Sequence, residues 1–571
     1  MKKHSLRFLT LTLIGILIYS CQNDDFLTPE NPDSNLAENI GIRSGDKTVL
    51  GKQLGNPYDI SNMKQAFKNI TKKKVSGRFA MRKTVDQEGD TLEYIEIPEE
   101  LIRITHKYIK FIPKNEEELD ALKKDSTLVL FDFPLDYEID KEGDYYHDPN
   151  VADSIPTPQY TTIKLSQKIT DTIQYELLSE LYLPEEDAVL DPEILDDPNN
   201  DQAVTLEETT NPANGVSSKM ASSSAKQALR SLANDNHKES KLAFSDNLLE
   251  EAFRITGNEL DLEEDSKEEI SNGVLARWWR RSKWTPQGTI QTYDDRLRRN
   301  IALEGVTVKG WRWFTRRSAI TNSSGYYRMG RVRKKYFKYR IAFERYHFKI
   351  IDVGTFVGDV IRWIRGRSAA EVYLGKHRRR GVNKIITSKH NRYLADIFRG
   401  AYYYYYKNID GLRRPPLNRW WKPQMKISAS ETNDASSHVH QRRWIPIVGS
   451  QIILKEYGER SDQVVGTTIH ELAHASHWNM DRANYNRIVW KGYIDPTIAH
   501  GGDLNPDNKR ARRLLETWAT TVEIYLTRKY YRENYWSSYR YSGDDLQRQL
   551  ISGNDTRDFY TTCGYDMIDN E

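Results

Sequence analysis

The 571-residue chain reads as a multidomain α+β protein: an N-terminal β-rich module, then a β-sandwich, then a C-terminal α+β domain. Three observations carry that reading. A chain of this length exceeds what one hydrophobic core organises, so it divides into several folded units. Short apolar runs separated by turn clusters recur through the first part of the chain, as strands do. Helical periodicity then takes over, and one helical segment carries His470-Glu471-Leu472-Ala473-His474.

The elements follow in order. Lys2 and Lys3, the apolar run Phe8 to Ile18 and Tyr19-Ser20-Cys21 form a secretion leader, which is not counted as a membrane span. A cysteine after a small residue at the end of such a run resembles the bacterial lipoprotein signal, which implies lipidation of Cys21. Gln22-Asn23-Asp24-Asp25 resembles the acidic tag with which Bacteroidetes send lipoproteins to the outer face of the outer membrane. The resemblance implies an outer-membrane lipoprotein exposed at the cell surface, with the membrane as a partner through its lipid. Cys563 is the only other cysteine, so lipidation of Cys21 leaves no intramolecular disulfide and makes core and metal the expected sources of stability.

Residues 22–61 are polar and contain proline, as a tether does. The module at 62–186 alternates strand-like runs, such as Thr127-Leu128-Val129-Leu130-Phe131 and Tyr160-Thr161-Thr162-Ile163, with turns. Its Leu130-to-Tyr137 and Gly143-to-Pro149 stretches resemble an N-terminal module of uncharacterised Bacteroidetes surface lipoproteins. His147 with Asp144 and Asp148 suits a cation or, more simply, a turn bonded by aspartates. Residues 187–287 are acidic, then rich in Ser and Asn, and read as a linker with a helix around Ser245 to Thr256.

Within 288–366, Leu303-to-Lys309, Ala319-to-Arg328 with Gly325, and Tyr339-to-Glu344 alternate strand and turn at short intervals, which indicates a small β-sandwich. The order resembles the carboxypeptidase D regulatory-like domain, a transthyretin-like sandwich, and implies a structural accessory. Arg277-Trp278-Trp279-Arg280-Arg281, Arg331-Val332-Arg333-Lys334-Lys335 and His377-Arg378-Arg379-Arg380 mix basic and aromatic residues, as nucleic-acid binders do. The chain as a whole has 84 basic and 81 acidic residues, a balance that argues against dedicated nucleic-acid binding. An anionic glycan is the better candidate partner on a cell surface, and solvated sandwich faces are a simpler reading than either.

The unit at 367–571 carries the chemistry. Asn391 to Asn408 suits a long helix packed behind the sheet, whose five consecutive tyrosines from Tyr402 are expected to pack on all sides. Ser450 to Tyr457 reads as a strand, and Ser461 or Asp462 as the cap of a following amphipathic helix with Val465, Ile469, Leu472 and Ala473 inward. Residues four apart share a helix face, so His470 and His474 can bind one Zn²⁺, with Glu471 placed as general base toward a metal-activated water. A catalytic zinc takes a third protein ligand. His477 is on the same face but about 10 Å along the axis from His470, at roughly 1.5 Å per residue. Glu516 lies on a second helix whose Leu515, Ala519, Val522 and Leu526 form an apolar stripe, so its carboxylate borders a buried face. Glu523, two turns on, is placed to orient a ligand histidine. Tyr525 and His500 are candidates to stabilise an oxyanion.

His470-Glu471-x-x-His474 with Glu516-x-Trp518-Ala519 resembles the gluzincin zinc peptidases, and the second pattern resembles the third-ligand run of the anthrax lethal factor group. The interval from His474 to Glu516, 516 − 474 = 42 positions, is about twice that of thermolysin-like families, so the intervening loop is elaborated. The resemblance implies a zincin fold, with an edge strand before the motif helix that accepts extended substrate. It also implies a zinc metallopeptidase with one Zn²⁺ per chain, held by His470, His474 and Glu516 and acting on protein or peptide. The rival expectation is a non-catalytic surface lipoprotein that binds glycan or host matrix and holds a structural zinc.

Overall fold

The computed structural model describes residues 48–73, 78–80, 94–96, 102–186, 248–258, 283–354, 369–418, 424–438, 450–494 and 506–541, apart from a few short stretches within these ranges. Cys21 and its leader, most of the tether and linker, Asp144, the 277–281 run and His500 lie outside the described residues. The chain is mixed α+β and multidomain in organisation. Among the described residues no helix is long and apolar enough to cross a membrane.

In the N-terminal unit β1 (Val49–Gln53) pairs with β5 (Tyr137–Lys141), and β2 (Arg78–Ala80) with β3 (Tyr94–Glu96). A three-stranded antiparallel sheet places β4 (His106–Phe111) between β6 (Gln159–Lys164) and β7 (Tyr175–Leu181). Helices α1 (Ile60–Lys73) and α2 (Glu116–Lys123) accompany them. Thr127 to Phe131, expected as a strand, is irregular apart from one bridge, Phe131 to Tyr160. Asp125 accepts from the Thr127 backbone N–H at 2.9 Å and turns the chain there instead. The expected linker helix is present over 248–255 and belongs to this unit's core, with Leu248, Leu249, Ala252 and Phe253 packed beside Tyr58, Phe131 and Phe133.

Two four-stranded sheets follow. Their strands include β8 (Gln287–Asp294), β9 (Arg299–Ala302), β10 (Thr307–Arg312), β11 (Thr315–Ile320), β12 (Tyr326–Arg328) and β13 (Tyr336–Ala342). β8 alternates between buried and less buried residues along most of its length, the period of a strand with one face on a core. The tip of the β10–β11 hairpin does not face solvent: Trp311, Trp313 and Phe314 enter the N-terminal core. Trp313 takes a positive φ of 50°, a conformation that costs a side chain about 1–3 kcal/mol. Burial of its ring and that of Phe314 offsets the strain, since a buried aromatic contributes about 1.5–3 kcal/mol. Buried and half-buried ion pairs add to the junction, among them Lys349–Asp120 at 3.3 Å and Lys123–Glu344 at 3.2 Å.

The expected boundary at 366/367 lies outside the described residues. β14 (Phe348–Gly354) leaves these two sheets and pairs in parallel with β17 (Met425–Ser430) of the C-terminal sheet. The chain then returns: β15 (Glu371–Arg378) pairs with β13, and β16 (Lys384–Ile386) with β8. Strands from either side of the expected boundary therefore interleave, and one core runs from Ile290 and Leu303 to Val522 and Tyr531. The C-terminal sheet has the order β14, β17, β19 (Ile452–Leu454), β18 (Ser437–His438). β19 is thus internal, and the two-residue β18 is the edge. The strand before the motif helix is short and covered, not the free edge that was expected.

Helix α3 (Lys389–Tyr406) is the expected tyrosine-bearing helix, with Tyr403, Tyr404 and Tyr405 buried. It crosses α4 (Ser461–Met480) closely at Gly400, where a Cβ would stand 2.9 Å from the Val465 carbonyl oxygen. Fifteen of the twenty residues of α4 are buried, so it is the central helix of the unit. Ser461 and Asp462 do not cap it. Arg460 is the N-cap, and the first helical N–H, that of Ser461, donates to Asp295 from the β8–β9 turn at 2.8 Å. A distant carboxylate thus does what a local side chain was expected to do. Helix α5 (Arg482–Val489), a π-turn (Trp490–Ile494) and α6 (Pro506–Asn534) complete the unit.

Candidate metal centre

The site begins with two helices in contact. On α4, His470 and His474 are one turn apart, with ring centroids 4.9 Å from each other. On α6, Glu516 is buried among Leu515, Ala519 and Val522, the stripe that packs this helix inward. Packing brings the three side chains to one point. Glu516 Oε2 lies 3.2 Å from His470 Nε2 and 3.4 Å from His474 Nε2, and the three donor atoms lie within 4.8 Å of one another. Among the described residues this is the one group of three such side chains able to hold a metal ion.

The surroundings orient the donors. His470 Nδ1 lies 2.9 Å from Glu523 Oε2, and the other oxygen of Glu523 accepts from the Tyr541 hydroxyl at 2.6 Å. A carboxylate on Nδ1 fixes the imidazole's tautomer and orientation, leaving Nε2 for a cation. Oε1 of Glu516 accepts from the Tyr493 hydroxyl at 2.5 Å.

The electrostatics ask for positive charge. Burial alone would raise the Glu516 carboxyl, but the imidazoles of His474 and His470 outweigh it and hold it well below the usual carboxylate range. Burial would likewise lower His470, yet Glu516 and Glu523 raise it well above the usual imidazole range. Glu456, just past β19, is pushed up to about 7 by burial and by the charges of Glu459, Glu523 and Glu471. A divalent cation among these groups would offset the acidic excess. Two imidazole nitrogens and one carboxylate oxygen are donors suited to Zn²⁺, so the residues present fit the ion. Glu471 adjoins His470 and is itself buried.

The other expected residues take different places. His477 stands outside the group; its ring packs edge-on to Tyr485 at 5.1 Å and tilted against Trp518 at 6.1 Å, and burial lowers its pKa. Tyr525 donates to Asp410 at 2.5 Å instead of entering the centre. Nine residues beyond Glu516, at about 100° per residue, it faces the opposite side of α6, whereas Glu523 at seven residues returns to the same side. His147 bonds the Val151 carbonyl at 3.0 Å and Asp148 accepts from the Asn150 N–H at 2.9 Å, which is the turn reading. Lys334, from one of the basic runs, is buried against Tyr58.

Tyr493 and Tyr541 were not foreseen. Both come from outside the two motif helices, and no spacing rule links them to Glu516 or Glu523. Another buried histidine with two carboxylate partners was also not foreseen. His390, at the start of α3, has Nε2 3.1 Å from Asp352 of β14 and Nδ1 2.6 Å from Glu431, which follows β17. Burial opposes its charge, but the two carboxylates push it up to about 10.

No protein-family model matches the chain, and neither a curated protein nor a solved structure is found similar to it.

Proposed function

We propose that the chain is a surface-anchored zinc metallopeptidase of gluzincin type, with a zincin-like C-terminal domain, a transthyretin-like sandwich and a lipid on Cys21. The observation that carries the reading is the meeting of His470 Nε2 and His474 Nε2 at one oxygen of Glu516. The buried Glu471 beside them carries it from binding to catalysis, because a structural site has no use for a general base. His470, His474 and Glu516 would hold a Zn²⁺, which when bound would supply Lewis-acid polarisation of the carbonyl and acidify a water toward neutral pH. Glu523 would keep the His470 imidazole oriented. Glu471 accepts the proton of the attacking water and passes it to the leaving amine.

Elemental analysis of protein purified without chelators tests the first half, with one zinc per chain expected. Cleavage of casein or a peptide library, compared with Glu471→Gln, tests the second. Zinc without cleavage in the wild type would leave a structural metal site, and no zinc even on titration would end the reading. Release from membranes on Cys21→Ala tests the anchor.

A further inference from the structure

The two oxygens of Glu516 have separate partners. Oε2 faces both histidines, whereas Oε1 accepts from the Tyr493 hydroxyl at 2.5 Å. Tyr493 sits on the π-turn Trp490–Ile494, an irregularity of the kind often found at functional sites. The turn is fastened to the helix that carries Glu516. Arg512 Nε donates to the Gly492 carbonyl at 2.6 Å, and the Arg512 guanidinium lies 4.5 Å from the centre of the Tyr493 ring. Arg512 is one helical turn before Glu516, on the same face. The approach is close: a Cβ on Gly492 would come within 3.2 Å of Arg512 Cγ. The tyrosine is therefore positioned from Glu516's own helix.

We propose that Tyr493 is a positioning residue that makes Glu516 a one-oxygen ligand. With Oε1 engaged by the hydroxyl, only Oε2 is presented to a metal ion, and the donor set stays at two nitrogens and one oxygen. A carboxylate freed of this bond can turn both oxygens inward and fill the position that water and substrate need. The inference rests on the metal-centre reading above, and its test separates the two.

The test titrates metal-free full chain with Co²⁺ alone and reads the visible absorption, which is intense for four-coordinate cobalt and weak at higher coordination. Wild type is expected to give the intense spectrum. Tyr493→Phe retains the ring that Arg512 covers and removes only the hydroxyl. It is expected to bind Co²⁺ about 10 to 100-fold more weakly, as losses next to a ligand do, and to give the weak spectrum. An unchanged spectrum in Tyr493→Phe overturns the proposal, even if affinity falls. Wild type that binds no Co²⁺ overturns the metal-centre reading and this proposal with it. An unshifted thermal unfolding midpoint of metal-free Tyr493→Phe shows that the change acts on the ligand and not on the fold.

Discussion

Two buried histidines in the same unit each lie between two carboxylates, and they are built for different work. His470 has Glu523 on one ring nitrogen, and its other nitrogen meets a Glu516 oxygen that His474 also meets. Its donors converge. His390 also has a carboxylate on each nitrogen, Asp352 and Glu431, but among the described residues no further metal-binding side chain joins it, so its donors do not converge. Convergence makes a place for one cation shared among several groups; without it the imidazolium is itself the cation, a clamp between β14, the end of β17 and the start of α3. The difference shows that two carboxylates beside a histidine do not make a metal site, whereas a second imidazole meeting the same carboxylate oxygen brings three donors to one point.

The comparison is broken most strongly at Glu471. Glu471→Gln is expected to lower peptide cleavage about 10² to 10⁴-fold, the usual contribution of a general base, while zinc content stays at the wild-type value. Cleavage near the wild-type rate would remove Glu471 from the chemistry. Next comes the converging carboxylate. Glu516→Ala should weaken zinc binding by about 10-fold or more and abolish turnover, whereas His477→Ala should keep the metal. Competition with a chelator of known affinity measures both, and the reverse pattern would require α4 to break after His474.

The His390 cluster is expected to affect stability and not metal. His390→Asn leaves two half-buried carboxylates without the imidazole between them and should lose about 1–3 kcal/mol in urea unfolding, with zinc stoichiometry unchanged. A pH series sharpens the point. His390 is raised from 6.5 to about 10 in the folded chain, so its stabilisation is fully present below about pH 6.5 and is lost as pH rises through about 10. Unfolding free energy should fall across that window in wild type and fall less in His390→Asn; parallel curves would deny the clamp. The smallest effect is expected at Tyr525→Phe. Its bond to Asp410 lies on the exposed side of α6, so stability should change by less than about 1 kcal/mol and cleavage by less than about 2-fold, the size of effect left when no contact to the reacting groups is touched.

What the sequence determined by itself lies within single elements. His470 and His474 share a face because four residues make about one turn, and Glu516 and Glu523 share one because seven make about two. The apolar stripe around Glu516 marks its helix face as buried, and the tyrosine-rich run declares α3. These relations depend only on the period of the helix, and the structure has them. The tertiary structure decided what crosses between elements: β14 pairing with β17 beyond the expected boundary, Trp313 and Phe314 closing the N-terminal core, Asp295 taking the place of a local cap, Tyr493 and Tyr541 reaching Glu516 and Glu523, and His390 finding Asp352 and Glu431. Such partners are separated by tens to hundreds of residues and have no fixed spacing. They meet only because burial of apolar faces brings their backbones together, and that packing is a property of the whole chain.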